Sequence, residues 1–290
     1  MAGYDRLMAA LASYPDPRLS RFEPLERVFY FDDFDEGYNG WTELIGNYEH
    51  SLDAMLPAYQ DMRPPQLSTA PMWDTGSHGS LDGAYSLKIA TRPRAGHQAV
   101  VIKRATYRQA SLLRVEAYFT FKPEATELRL GDQDVRAIGV LMDLQNDDER
   151  VMPHLRYLNS LEGTPQQLWQ YKAERAPIEP IGTDGKTVSH YHLSPDGWQD
   201  IPDGAQQLCY NEIATKLNWH YLRLDFDLAS MAYVGFRCND HLMDVAKLAP
   251  MRMPAMPNLW CMLNLVFFAE ADTDKRVLFY LDSVLVSGQL

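Results

Sequence analysis

Leu113-Arg114-Val115-Glu116-Ala117-Tyr118-Phe119-Thr120-Phe121 sorts its residues with a period of two. Leu113, Val115, Ala117, Phe119 and Phe121 fall on one side of an extended chain; Arg114, Glu116, Tyr118 and Thr120 fall on the other. Successive side chains of a strand point to opposite faces, so this stretch is a strand with one face in a core. The other face carries groups that hydrogen-bond. The stretch 219–228 repeats the pattern, with His220, Leu222, Leu224 and Phe226 set against Trp219, Tyr221, Arg223, Asp225 and Asp227. One apolar and one polar face per sheet is what an antiparallel sandwich requires.

Working outward, similar runs recur at 85–91, 99–106, 137–144, 232–237, 259–268 and 276–286, separated by Gly, Pro, Asp and Asn. Many short strands with turn signals and little helix predict a sandwich or barrel. No strand is followed by a Gly-rich phosphate loop and no βα alternation is present, which argues against dinucleotide and nucleotide-triphosphate folds. No organic cofactor is expected. Residues 1–27 read as an N-terminal arm, with Leu7, Met8 and Leu11 at helical spacing in 4–14 and Tyr14-Pro15-Asp16-Pro17 ending them. The arm either packs on the main domain, 28–290, or forms a homodimer contact. Residues 160–216 interrupt the rhythm with Pro, Gly and polar residues and predict a long loop excursion of lid or binding-loop type.

The chain has 290 residues, enough to bury a large core without staples. Lys and Arg total 27 against 39 Asp and Glu, a net charge of −12. With no basic cluster longer than pairs such as Lys103-Arg104, neither nucleic acid nor an anionic membrane is an expected partner. Cys209, Cys238 and Cys261 are odd in number and far apart, which fits reduced thiols. Neither a signal-peptide pattern nor an apolar run long enough to span a bilayer is visible, so the expected location is the cytoplasm.

Three segments together resemble the concanavalin A-like lectin/glucanase sandwich: Phe31-Asp32-Asp33-Phe34-Asp35-Glu36-Gly37 with Gly40-Trp41; Trp219-His220-Tyr221-Leu222-Arg223-Leu224 with Asp240-His241-Leu242; and Leu278-Phe279-Tyr280-Leu281-Asp282-Ser283-Val284. The resemblance spans roughly residues 28–287. It implies a jelly roll of two antiparallel sheets whose concave face commonly receives a carbohydrate. It also implies a structural calcium, for which Asp33 and Asp282 are the candidates here; each also reads as a turn or strand-end residue. Fold does not fix function, so chemistry has to be argued from the site.

Retaining glucanases of this fold carry Glu-x-Asp-x-x-Glu, because their chemistry needs two carboxyls about 5–5.5 Å apart. Glu270-Ala271-Asp272-Thr273-Asp274 matches only in part, its final Glu being absent, and it reads as a solvated hairpin tip. A second group comes from polar strand faces: Lys88, Lys103, Arg114, Glu116, Tyr118, Asp143 and Gln145, with His154 and Arg156 in Pro153-His154-Leu155-Arg156-Tyr157. It is either a set of cross-strand ion pairs or a site. As a site, His154 is the candidate base, Arg156 orients substrate or steadies a developing oxyanion, and Glu116 or the His190 and His192 pair helps hold a metal. Arg114, Tyr118, Asp143 and Gln145 are then substrate contacts. His190-Tyr191-His192 is the only His-x-His, and alternate residues of a strand share a face, so both imidazoles would reach one divalent metal (Mn, Mg, Zn or Ca). With Asp196 it resembles a cupin metal motif, against which Pro195 interrupts the strand. Trp169 and Tyr171 alternate in the excursion, near Trp198 and Tyr210, and either stack on sugar rings or anchor a loop. Asn264, polar within an apolar strand, is a further hydroxyl-binding candidate.

Two functions follow. One is an intracellular carbohydrate-active lyase or hydrolase that cleaves a C–O bond of a small glycoside, a 3-keto glycoside above all, by base-assisted elimination. The other is a non-catalytic, lectin-like carbohydrate-binding domain.

Overall fold

The computed structural model describes residues 16–43, 64–69, 79–107, 109–124, 132–173, 196–208, 218–255 and 261–289. Residues 4–14, Tyr210 and the pair His190 and His192 lie outside them. The strands are β1 (Arg27–Asp32), β2 (Trp41–Glu43), β3 (Gln66–Ser68), β4 (Ser86–Ala90), β5 (Gln98–Thr106), β6 (Leu112–Pro123), β7 (Val135–Gln145), β8 (Glu149–Met152) and β9 (His154–Leu161). They continue with β10 (Thr164–Lys172), β11 (Trp198–Ala205), β12 (His220–Asp227), β13 (Ala232–Cys238), β14 (His241–Met243), β15 (Met251–Pro254), β16 (Met262–Ala271) and β17 (Val277–Gly288). No helix among the described residues is long and apolar enough to cross a membrane.

The strands form two antiparallel sheets, the jelly-roll sandwich expected from the alternation. The back sheet has eight strands, ordered β14-β13-β12-β6-β17-β4-β3, with β1 also on β17; the front sheet has nine, ordered β11-β10-β9-β7-β16-β5-β2, with β8 and β15 beyond β7. Each central strand gives alternate residues to one shared core. From β6 come Leu113, Val115, Ala117, Phe119 and Phe121, from β12 Leu222, Leu224 and Phe226, and from β16 Leu263, Leu265, Phe267 and Ala269. All are at most 3% exposed, so their apolar area has left water, the term that chiefly drives folding.

The back sheet's outer face is covered by the chain's own arm. A short 3-10 helix, Pro17–Arg21, is capped by the Asp16 carboxylate, which accepts from Arg18 N. Leu19 of this helix and Phe22 just after it pack on Leu285, and Phe22 meets Phe31 and Tyr118 edge to face. Glu23 N donates to Glu116 Oε1 at 2.8 Å, and Leu25 N donates to Ser287 Oγ at 3.0 Å.

Two expectations change. The stretch 160–216 is not one irregular excursion, because it contains β10 and β11, paired to each other and, through β10, to β9. Glu162 and Gly163 join β9 to β10 as a two-residue turn with φ +52 and +76, the left-handed pair that matches strand twist. Glu270 is not at a solvated tip either: β16 runs on to Ala271, and Glu270 is only 2% exposed.

Candidate functional site

Directly opposed residues of antiparallel strands share a face, so the register gives the front sheet's outer surface row by row. One row runs Trp198, Lys172, His154, Leu141, Val266, Ile102. The next runs Asp200, Gln170, Arg156, Gly139, Phe268, Val100. A third crosses Leu158, Ala137, Glu270 and Gln98, and on the far side of the first row lies Asp143 beside Asn264. A polar group thus occupies a sheet face on which apolar side chains would be expected if it were mere packing.

Several of these polar side chains are removed from water. His154 and Lys172 are fully buried, Glu270 is 2% exposed and Arg156 is 7% exposed. Burial pulls the Lys172 ammonium down to about 8, and the neighbouring Arg156 charge pushes the same way. Burial also lowers Arg156, to about 10, against the opposing pull of Glu270, and it raises the Glu270 carboxyl despite Arg156 and Arg136. Arg156 Nε donates to Gln170 Oε1 at 2.8 Å, and its Nη1 stands 3.5 Å from Glu270 Oε2. Gln170 Nε2 in turn donates to Asp200 at 2.8 Å.

Trp198 organises this cluster. Its indole ring lies 4.2 Å from the Arg156 guanidinium carbon and 4.8 Å from Lys172 Nζ, both in cation–π range. It also lies 6.1 Å from the His154 ring and 6.3 Å from Phe268. Gly139 makes room for that phenyl ring: a Cβ built there would stand 2.3 Å from Phe268 Cζ. The His154 ring is fixed by Nδ1, 2.8 Å from the Met152 carbonyl oxygen. A carbonyl only accepts, so Nδ1 carries the proton, and in the neutral imidazole the lone pair sits on Nε2.

The predicted residues divide between the two sheets. His154, Arg156, Asp143 and Asn264 do share the front sheet's outer face. Asp143 there forms a two-bonded pair with Arg150, 2.7 Å at each oxygen, and Asn264 Nδ2 stands 3.5 Å from it. Gln145 lies on the same face beyond Asp143, fully buried, its backbone carbonyl accepting from Tyr107. Arg114, Glu116 and Tyr118 are on the back sheet, whose outer face points the opposite way, so they do not converge with His154. Glu116 accepts there from Tyr221 at 2.5 Å, Arg114 holds Asp225 at 2.7 and 3.2 Å, and Tyr118 donates to the Arg21 carbonyl. Lys88 is on the back sheet too, and Lys103, on β5 opposite the core residue Leu265, faces inward and stands 2.5 Å from Asp32.

The aromatics also sort by face. Trp169 is a core residue, 1% exposed, with its ring against Tyr157 and Phe236 and its Nε1 donating to Gln206. It cannot stack on a sugar from there. Tyr171 packs on the core edge and donates to Gln199. Trp198, two strand positions from Asp200, is the aromatic that faces outward. Lys172 and Gln98 were missed by sequence reading, which takes Glu270 only as part of an incomplete glucanase motif at a hairpin tip. For Lys172 and Glu270 the signal is a charge closing a largely apolar stretch, Trp169-Gln170-Tyr171-Lys172 and Phe267-Phe268-Ala269-Glu270, and Gln98 opens another, Ala99-Val100-Val101-Ile102.

Asp33 and Asp282 are occupied by protein donors. Asp33 pairs with Arg18 and accepts from Asp35 N, while Asp282 accepts from the backbone of Leu81 and Asp82. Among the described residues no three His, Cys, Asp or Glu side chains cluster as metal ligands would. Asp272 binds a turn, accepting from Gly163 N at 2.7 Å, Glu162 N at 3.1 Å and Arg136 Nε at 2.7 Å.

Comparison with solved structures finds distant likenesses. The cellulose induced protein Cip1 is 14% identical, with a TM-score of 0.43, covering 89% of this chain and 96% of that one. A legume lectin-like domain from Entamoeba histolytica is 7% identical (TM-score 0.40, 77% and 89% covered). The alginate lyase Aly36B, in complex with an alginate tetrasaccharide, is 7% identical (TM-score 0.39, 77% and 96% covered). Likenesses this loose carry neither a site nor a substrate across. No curated protein matches the sequence. Residues 9–290 match the family model described as Domain of unknown function (DUF6772), and the chain belongs to that family.

Proposed function

We propose that the front sheet's outer face receives a carbohydrate, and that the protein cleaves a C–O bond of a small glycoside by base-assisted elimination. The observation that carries this reading is the row Trp198, Lys172, His154 with Arg156 beside it: an aromatic platform and three proton-handling or cationic groups on adjacent strands. A buried lysine near neutrality next to a histidine of fixed tautomer is an arrangement that moves protons.

A glycoside oxidised to a 3-ketone is the substrate this group suits. The ketone acidifies the adjacent C–H, so a single base suffices. His154 Nε2 takes that proton, and the negative charge passes to the ketone oxygen beside Arg156, a fixed cation. When the enolate reforms its C=O, the new C=C forms as the bond to the aglycone oxygen breaks. Lys172, mostly protonated below about pH 8, gives that oxygen its proton. One proton is taken and one returned, and the products are an enone sugar and an alcohol.

The test is release of alcohol from methyl 3-keto-glucoside by purified protein. His154→Ala and Lys172→Met are each expected to cut turnover by about 10²–10⁴-fold, the usual contribution of a positioned acid or base. Full turnover in His154→Ala removes the assignment. A binding role without turnover is favoured by one observation, the complete burial of His154 and Lys172. That reading gives sugar affinity without alcohol release, lost on Trp198→Ala and retained in His154→Ala.

A further inference from the structure

At the end of the front face away from Lys172, two acceptors stand without donors. Glu270 is 2% exposed, and its Oε2 has no hydrogen-bond partner; Arg156 Nη1, at 3.5 Å, is within ion-pair range only. Gln98 lies directly across from Glu270 on β5, and its Oε1 is likewise buried without a partner. Buried acceptors are nearly always paired, because leaving one unpaired forfeits its hydration for nothing. Two in the same row, on neighbouring strands and on the face that holds His154 and Arg156, mark a place built for donors.

The chemistry of the missing partner is restricted. A carboxylate, sulfate, phosphate or ketone brings only acceptors and meets two more. An ammonium would donate, but Arg136 Nη1, 3.3 Å from Glu270 Oε1, and Arg156 already supply positive charge there. Neutral hydroxyls donate without charge. Opposed residues in a strand pair hold their Cβ atoms about 4.5–5.5 Å apart, which brings both acceptors within reach of one sugar residue. A 3-keto hexoside carries its free hydroxyls at C2, C4 and C6, and those at C4 and C6 lie toward the end of the ring away from the C1 leaving oxygen.

We propose that Glu270 and Gln98 form a diol-reading subsite, which takes the free C4 and C6 hydroxyls of an uncharged hexose while the carbonyl and leaving oxygen lie toward Arg156 and Lys172. This rests on the carbohydrate reading above and adds the orientation and the class of sugar. A glycoside lacking either hydroxyl binds poorly, and a uronate cannot place its carboxylate at this end.

The experiment is calorimetric titration of the full chain with the methyl glycosides of glucose, galactose, mannose and xylose, their 3-keto forms and methyl glucuronide. The tightest is then remeasured as each of its monodeoxy derivatives. In the wild-type protein, loss of the C4 or the C6 hydroxyl is expected to weaken binding by about 10–100-fold, as for a hydrogen bond to a charged or buried acceptor. In Gln98→Leu, deletion of the hydroxyl that Gln98 accepts is expected to cost no more than about twofold; in Glu270→Gln, which keeps an oxygen but loses the charge, deletion of the other hydroxyl is expected to cost less than in wild type. Gln98→Leu removes an acceptor without touching the arginine pairs, so it stands as the readout if Glu270→Gln unfolds. Equal hydroxyl dependence in wild type and Gln98→Leu, or none in wild type, overturns the subsite alone. No binding of any sugar in the panel overturns both this proposal and the carbohydrate reading.

Discussion

Asp282 shows how a single buried carboxyl ties stability to pH. Its Oδ2 accepts from Leu81 N and Asp82 N, and its side chain is cut off from water, so burial raises it to about 7 from 3.8 despite those two donors. A group whose folded value lies above its unfolded value contributes stability below the unfolded value, and that contribution is lost as pH rises through the folded one. The fold is therefore expected to lose stability between about pH 4 and pH 7 through this residue. Asp282→Asn keeps an oxygen acceptor for both backbone donors and carries no charge at any pH. Its melting temperature is expected to exceed wild type at pH 8 and to converge with it near pH 4, measured by thermal shift across the range. A constant difference between the two proteins at all pH values would assign the effect to packing rather than ionisation.

At the level of the strand, alternation was readable where both faces kept their period. β5, β6, β7, β12, β13 and β17 all appear within a few residues of the runs 99–106, 112–121, 137–144, 219–228, 232–237 and 276–286. β10 and β11 were hidden because each breaks its period. The β9–β10 register shifts between Pro165 and Leu168, where Gln167 has φ +55, and the β10–β11 register shifts opposite Asp203, where φ is +56. A bulge inserts a residue and moves the rest of the strand to the other face, so a period-two reading fails across it. The cost of a wrong face is visible in Trp169, which a loop reading left free to stack on sugar and the sheet places in the core. Element packing also makes a prediction at Gly139 in β7. Alanine there meets the Phe268 ring at 2.3 Å and the Leu155 carbonyl oxygen at 2.7 Å, which outweighs any entropy gained from losing a glycine. Gly139→Ala is expected to cost about 1–3 kcal/mol, as overpacked cores do, read as a lower urea midpoint at unchanged slope. An unchanged midpoint would mean that Phe268 moves aside freely, and its contact with Trp198 would then hold no geometry in the site.

For the whole sandwich, the site was half legible for a topological reason. Arg114, Glu116 and Tyr118 present the same polar alternation as His154 and Arg156, and nothing local separates them. The separation comes from long-range pairing: β6 joins β12 and β17 in the back sheet, while β9 joins β7 and β10 in the front. Two packed sheets stand about 10 Å apart, so their outer faces look away from each other across the full core. The molecule accordingly has one face sealed by its own arm and another that carries the proton-handling groups. This division predicts that stability and sugar recognition come apart. Phe22 is 2% exposed and, among the described residues, packs with Leu19, Leu285, Phe31 and Tyr118 on the back sheet's side. Phe22→Ala is expected to lower stability by about 3 kcal/mol, the lower end for a buried phenylalanine, because the arm's cluster is a satellite of the main core. Sugar affinity in the same variant, titrated well below its melting temperature, is expected to stay within about twofold of wild type, since the two sites share no partners. A larger change in affinity would show that the arm and the front face are coupled through the core, and the back sheet would then belong to the functional unit as much as the front.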